Sequence, residues 1–312
     1  MSWTLDKVIL SPDSARLFRR EELPRRGALF AEIGFGNGDF LVNLASARRD
    51  ALCVGIEVSL TSLLKAARKV LGVGIDNVIL LNGDGSFLLR EFFLPETVEG
   101  VFVNFPCPWP KKRHSKRRLI NSLFADNLAG ALKIGGFFEL ASDEKWFVDE
   151  ARGCLLENGA LEVEEIQHHL GGPIGTKYEQ KWISLGKSIY RLRATKVSFF
   201  RTTSIVDWEE VTLDINKEMP KGWRMGKLGF MTNKTGGDDR FKWTFKDAFF
   251  GDDETGLLQV ITADDGFQQK FYVRVIPREN SVLIKLDDAS TVYRTPAVKE
   301  SFKALAEEIG KL

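Results

Sequence analysis

Glu32-Ile33-Gly34-Phe35-Gly36-Asn37-Gly38-Asp39 joins a short apolar run, Leu29–Ile33, to an amphipathic segment of helical period, Phe40–Arg48. Glycines at such a junction allow a tight turn and a close approach of backbone to ligand, and the helix that follows begins with amide donors lacking partners of their own. The same pattern repeats outward from it. Strands are expected at Cys53–Glu57, Val78–Leu81, Val101–Phe105 and Gly136–Ala141, and helices at Leu60–Leu71, Phe87–Phe92, Leu119–Leu132 and Glu144–Asn158. These strands are apolar along their length rather than alternating, as in a sheet covered by helices on both faces. Their alternation with helices predicts an α/β fold built on a doubly wound, mostly parallel, Rossmann-like sheet. Leu161–Ile166 and Ser188–Ala194, joined by a Gly-rich stretch too short for a helical crossover, are expected as an antiparallel hairpin at the sheet edge.

Beyond about residue 197 the pattern changes. Val211–Ile215, Lys227–Met231, Phe241–Phe245, Gly256–Ile261, Phe271–Ile276 and Ser281–Leu286 read as strands, separated by turn clusters such as Thr235-Gly236-Gly237-Asp238-Asp239, and a helix over Ala297–Ile309 follows Pro296. A C-terminal α+β domain over 200–312 is therefore expected after a first domain over 1–199.

The 312 residues suffice for two such cores. No run of eighteen apolar residues offers a membrane span, and the N-terminus lacks the plan of a signal peptide, so a cytoplasmic protein is expected. Three scattered cysteines suggest neither a disulfide framework nor a zinc site, and adjacent His168 and His169 would point to opposite faces of an extended chain. No metal site is expected. Net charge is +1, but residues 1–199 carry 27 Lys/Arg against 24 Asp/Glu while residues 200–312 carry 17 against 19. Much of the excess is local: Lys111 to Arg118 holds six cations in eight positions and no acid.

The glycine spacing, Gly34-x-Gly36-x-Gly38, differs from the Gly-x-Gly-x-x-Gly of dinucleotide binders. Glu57 lies 19 residues beyond Gly38, at the end of the second strand, where a carboxylate can accept both hydroxyls of a ribose. Asn82-Gly83-Asp84-Gly85 ends the third strand and can meet an adenine amino group. Three elements at the C-terminal ends of successive strands mark the edge where open α/β sheets bind ligands, and they point to a nucleoside cofactor.

The fourth strand runs into Asn104-Phe105-Pro106-Cys107-Pro108-Trp109-Pro110-Lys111-Lys112-Arg113-His114, a proline-stiffened loop that projects a cationic arm. Lys and Arg there suit phosphates, which give affinity and register on a nucleic acid. Trp109 suits stacking on a base or wedging the loop against the domain.

With that loop the chain resembles the bacterial tRNA (guanine-N7-)-methyltransferases over residues 10–195. Their loop reads Pro-Asp-Pro-Trp-x-Lys-Lys-Arg-His-x-Lys-Arg-Arg, and Pro108 to Arg118 match it closely. Glu32-Ile33-Gly34-x-Gly36-x-Gly38, Gly55-Ile56-Glu57, Asn82-Gly83-Asp84, Ser142-Asp143 and Thr176-Lys177-Tyr178-Glu179 match further family signatures. The resemblance implies a Rossmann-like methyltransferase sheet, S-adenosyl-L-methionine as cofactor, tRNA as partner and methylation at N7 of a variable-loop guanine. It implies that Glu32, Gly34, Gly36, Gly38, Glu57, Asn82, Asp84 and Asn104 bind the cofactor. Lys111, Arg113, Arg117, Asp143, Thr176 and Glu179 would bind the substrate, and Cys107, His114 and Asp143 would act at the reacting centre. An Arg-rich stretch (Arg16, Arg19, Arg20, Arg25, Arg26) would clamp RNA. A monomer and a homodimer are both compatible.

Cys107 stands where the family carries Asp. It keeps two other readings open: a tRNA-binding protein with little or no activity, and an RNA methyltransferase acting on another base through a Pro-Cys thiolate. Neither a cytosine nor an amino-group methyltransferase accounts for the basic arm or for Thr176 to Glu179. An NAD-dependent oxidoreductase would need a hydride-transfer constellation, and none is visible.

Overall fold

A computed structural model describes residues 5–10, 27–169, 188–207, 211–216, 229–251 and 255–311. The chain divides into two units, Met1–Ser204 and Ile205–Leu312. In chain order the first unit carries α1 (Leu5–Val8), β1 (Ile9–Leu10), β2 (Leu29–Ile33), α2 (Asp39–Ala47), β3 (Leu52–Glu57), α3 (Leu60–Val73), β4 (Val78–Asn82), α4 (Gly85–Glu91) and β5 (Val98–Asn104). It continues with α5 (Ser122–Ala131), β6 (Leu132–Ser142), α6 (Lys145–Leu156), β7 (Leu161–Val163), β8 (Gln167–His169) and β9 (Ile189–Lys196).

The sheet order is β1-β4-β3-β2-β5-β6-β9-β7, with β8 beside β9. Every pair from β1 to β6 is parallel, whereas β9 runs antiparallel to β6 and both β7 and β8 run antiparallel to β9. The expected antiparallel edge is present, with β9 inserted between β6 and β7. From β2 the chain steps one way through β3 to β4, then returns to lay β5 on the other side of β2. The strand order reverses between β2 and β5, which is where an open α/β sheet leaves a crevice at its C-terminal edge.

Local chemistry explains the element boundaries. Ser59, Asp84 and Asn121 each cap a helix by accepting a backbone amide, from Ser62 (3.3 Å), Phe87 (2.8 Å) and Phe124 (2.9 Å). The Asn121 cap starts α5 at Ser122 rather than at Leu119. Helices α2 and α3 bury Leu41, Val42, Ala45, Leu63, Ala66 and Val70 against Phe30 and Phe102 on one sheet face. Behind β9, Lys196 is 0% exposed, and its ammonium meets Glu96 Oε1 (3.1 Å), the Leu132 carbonyl (2.9 Å) and the Phe200 carbonyl (3.4 Å). A buried ammonium is tolerable only with partners of this kind.

The second unit is a sheet of β10 (Thr212–Ile215), β11 (Thr235–Gly237), β12 (Phe241–Phe250), β13 (Gly256–Asp264), β14 (Phe267–Pro277) and β15 (Val282–Leu286), with α7 at Pro296–Gly310. The strands are antiparallel in the order β10-β15-β14-β13-β12-β11. Alternation along β14 puts Phe271, Val273 and Val275 in a core with Phe245, Val260 and Ile284, closed by Val298, Phe302 and Leu305 of α7. Two expectations fail here. Gly229–Met231, within the strand expected at 227–231, is a single 3-10 turn. Thr235–Gly237, taken for a turn, pairs with β12. Gly236 there serves close packing, since a Cβ on it would lie 2.3 Å from the Trp243 indole, while Gly237, with φ of 116°, leads the strand into the turn.

No helix among the described residues is long and apolar enough to cross a membrane. Lys196→Met leaves the Leu132 carbonyl and the Glu96 carboxylate without their buried donor, and should lower the unfolding free energy by about 2–3 kcal/mol. Chemical denaturation of the two proteins side by side measures it.

Candidate functional site

The crevice at the reversal is lined by the strand ends that the sequence singles out. Gly34, Gly36 and Gly38 all adopt positive φ (73°, 53° and 73°), a region that L side chains rarely enter. No heavy atom lies within 4 Å of where a Cβ would sit on Gly34 or Gly36, so this stretch of backbone is bare toward the crevice. Gly38 has the opposite need: a Cβ there would fall 2.7 Å from the Cβ of Ala66, so α3 packs against the loop only because the residue is glycine. Lys69 of α3 reaches back to the Asn37 carbonyl (2.9 Å) and to the Asp39 carboxylate, tying down the turn.

Glu57 closes β3 and holds the glycine turn by its carboxylate. Oε2 accepts from the Gly36 amide and Oε1 from the Ser59 amide, both at 3.0 Å. Each oxygen keeps further lone-pair capacity for ligand hydroxyls. Asn82 donates through Nδ2 to the carbonyls of Glu57 (2.8 Å) and Val58 (3.2 Å), which turns its Oδ1 into the group available to an amino donor. Asp84 is the cap of α4 through Oδ1. Val58, 70% exposed beside Glu57, puts an apolar side chain at this strand end that the sequence does not announce, because one valine there carries no pattern.

Glu32 lies deepest. Its side chain is 2% exposed, Oε1 accepts from Asn104 Nδ2 across the reversal at 3.0 Å, and Oε2 is buried without a hydrogen-bond partner among the described residues. Burial pushes its carboxyl up to about 8, against the pull of the Asn104 bond and of the Leu41 backbone amide and with help from the negative charges of Glu57 and Asp39. A buried acid with one oxygen lacking a well-formed hydrogen bond, next to a bare glycine turn, is chemically suited to a cationic ligand group. A cavity of about 220 Å³ opens beside Asn104, lined by Glu139, Ala141, Gln167, Arg191 and Arg193. None of the polar residues among these stands out in the sequence, where they are spread over three strands.

Beyond Asn104 the chain makes two sharp joints, with φ of 51° at Phe105 and 47° at Trp109. The Phe105 amide donates to the Ala141 carbonyl (2.8 Å), keeping the loop against the end of β6, and half-buried Asp143 follows two residues on. Cys107 is exposed on the loop. Cys53 is buried and its thiol is pushed up to about 12, and burial also raises the Cys154 thiol, so both belong to the packing. Trp109 is half-buried, with His114 edge-on at 5.6 Å and the Arg117 guanidinium over its ring at 5.1 Å, so its ring packs within the loop itself. The basic arm forms a 3-10 turn, Lys112–Arg117, with Lys111, Lys112, Arg113, Lys116 and Arg117 exposed. Thr176, Glu179 and the Arg-rich stretch from Arg16 to Arg26 lie outside the described residues.

Residues 26–192 match the family described as "Putative methyltransferase". A tRNA (guanine-N(7)-)-methyltransferase of Thermotoga maritima is 36% identical over 286 residues, 91% of this chain and 90% of its own. A namesake from Aquifex aeolicus is 32% identical over 298 residues, 94% of this chain and 96% of its own. Alignments of that length extend well into the second unit. A namesake from Streptococcus thermophilus is 33% identical over 193 residues, which is 60% of this chain but 89% of its own length. Little of that protein remains to correspond to the second unit.

The raised carboxyl sets a pH dependence of stability. The unfolded Glu32 ionises near 4.5 and the folded one near 8, so between those values the folded state holds a proton that the unfolded state has lost. Glu32's contribution is full below about 4.5 and is lost as pH rises toward about 8, with a slope of up to ~1.4 kcal/mol per pH unit. Glu32→Gln lacks this slope. Urea denaturation at pH 5.5 and 7.5 should show the variant gaining on the parent at the higher pH; an equal difference at both would contradict a raised Glu32.

Proposed function

Because the chain belongs to the tRNA (guanine-N(7)-)-methyltransferases, we propose that it transfers the methyl of S-adenosyl-L-methionine to N7 of a variable-loop guanine in tRNA, with the reaction carried by the first unit. The observation that carries this reading is the match of the crevice to the cofactor, group by group. The unpaired Oε2 of Glu32 would receive the ammonium, and the bare backbone of Gly34 and Gly36 would let the amino-acid portion approach. Glu57 would accept the ribose hydroxyls, Asn82 Oδ1 the adenine amino group, and exposed Val58 would cover the adenine face. Asp84 supports this wall as the cap of α4, and Asn104 keeps Glu32 in place. Bound there, S-adenosyl-L-methionine supplies an electrophilic methyl on a sulfonium.

The target atom makes modest demands on the protein. N7 of guanine has an in-plane lone pair and no proton, so no side chain has to act as a general base. Holding the base in line is then the main task, and well-oriented reactants can gain roughly 7–11 kcal/mol over the same groups free in solution. The loop from Phe105 to Lys111 and Asp143 at the end of β6 would form the rim that aligns the base, with the polar cavity beside Asn104 as its floor. His114 would stay near the reacting centre through its packing on Trp109. Lys111, Arg113 and Arg117, exposed on one short turn, would hold phosphates. Cys107 is tolerable in place of the family Asp, because a residue there would steady the base or its developing charge rather than remove a proton.

Two measurements test the reading. Labelled methyl from S-adenosyl-L-methionine should enter unmodified tRNA, and cleavage specific for N7-methylguanine should map it to one variable-loop guanine; Cys107→Ser should leave that product in place. Label on a cytosine, lost in Cys107→Ser, would overturn the reading in favour of thiolate chemistry, and binding of both substrates without transfer would leave a tRNA-binding protein. Glu57→Ala should weaken cofactor binding ~10- to 100-fold, as expected for losing a charged hydrogen bond of about 1.5–3 kcal/mol. Titration followed by calorimetry reads it directly.

A further inference from the structure

The six cations of the basic arm fall into two kinds. Lys111, Lys112, Arg113, Lys116 and Arg117 are exposed, whereas the Arg118 side chain is 10% exposed. Its guanidinium is engaged on three sides. Nη1 donates to both oxygens of Glu150 at 2.6 and 2.5 Å, Nε and Nη2 donate to the Trp109 carbonyl at 3.3 and 3.2 Å, and the group lies over the Trp146 ring at 5.0 Å. Trp146 is itself oriented by a bond from its Nε1 to Glu144 Oε2 (2.9 Å). Glu150, Trp146 and Glu144 belong to α6 and its N-terminal cap, immediately after Asp143.

We propose that Arg118 is a positioning residue, which pins the backbone of the loop at Trp109 to helix α6 through Glu150 and Trp146 and leaves phosphate binding to its exposed neighbours. Trp109 needs such a pin. Its φ of 47° is unfavourable for a bulky residue, and a conformation of that kind persists only when surrounding contacts hold it. The pin also joins two sides of the site: the loop that follows Asn104, and the helix that begins beside Asp143. Arginine suits the task, because its planar fork can serve a carboxylate, a carbonyl and a ring face at once, while a lysine ammonium cannot. The sequence hides this, since Arg118 looks like the last of a run of phosphate-binding cations.

The proposal rests on the methyl transfer proposed above and is tested in the full chain with unmodified tRNA. Arg118→Lys, Glu150→Gln, their double variant and Arg117→Ala are compared for kcat, for KM toward tRNA and for the salt dependence of binding. Arg118→Lys and Glu150→Gln should each lower kcat by ~10-fold or more through a misplaced loop, with little change in KM. The double variant should be no worse than either single one, because both break one unit. Arg117→Ala should instead weaken tRNA binding and reduce the salt slope by about 1. Should Arg118→Lys unfold the protein, Glu150→Gln carries the test alone, being isosteric and on the helix surface. Full kcat in Glu150→Gln would overturn the proposal, and tighter tRNA binding with kcat kept would overturn it in favour of Arg118 as a phosphate contact. Absence of transfer by the unaltered chain would instead remove the methyltransferase reading itself.

Discussion

Glu32 sits at the end of β2, between β3 and β5, where the strand order reverses and the sheet opens its crevice. A carboxyl so buried is costly to ionise, and the surrounding structure addresses one oxygen and leaves the other. Asn104 satisfies Oε1 from across the reversal, whereas Oε2 has no well-formed hydrogen bond among the described residues, the Leu41 amide giving the carboxyl only partial relief. A core residue of the same size and no charge would have been more stable, as buried polar groups without partners cost free energy. In the proposed function a cationic ligand would complete the arrangement. The glycine turn, its tether to Glu57 and the anchoring of that turn by Lys69 keep the approach to this acid open.

The second constraint is the loop after β5. The task proposed for it is orientation rather than proton transfer, and its construction suits that task. Two residues at positive φ, an amide bonded to the end of β6 and a guanidinium bonded to α6 give it a fixed shape. The exposed cations beside it are held on a short turn rather than in an extended tail. Rigid groups and accessible charged groups thus occupy successive residues of one segment, an arrangement in which phosphate contacts would set the register of a base. The second unit has a core of its own, and the Streptococcus thermophilus relative carries the family name over little more than the length of the first unit, which supports assigning the proposed reaction to the first unit.

Much of this was legible in the sequence, for physical reasons that differ by residue. Strands buried on both faces write uninterrupted apolar runs, so β2 to β6 were readable, and Gly34, Gly36 and Gly38 announced a turn because few other residues accept those angles. Glu57 and Asn82 were readable from their places at strand ends. What stayed hidden joins residues far apart in the chain: Glu32 with Asn104, 72 positions on; Arg118 with Glu150, 32 on; Lys196 with Glu96, 100 back. Spacing has no purchase on such pairs. Thr235–Gly237 misled for a related reason, since glycines that make room for an indole look the same as glycines that make a turn.

If Glu32 is a neutral acid that ionises to receive the cofactor's ammonium, binding must release its proton. Calorimetric titration of the protein with S-adenosyl-L-methionine at pH 7, in two buffers of different ionisation enthalpy, counts protons exchanged per ligand bound. The account predicts release of roughly one proton by the unaltered chain, and nearly none by Glu32→Gln. No release by the unaltered chain, or the same release by both, would contradict it.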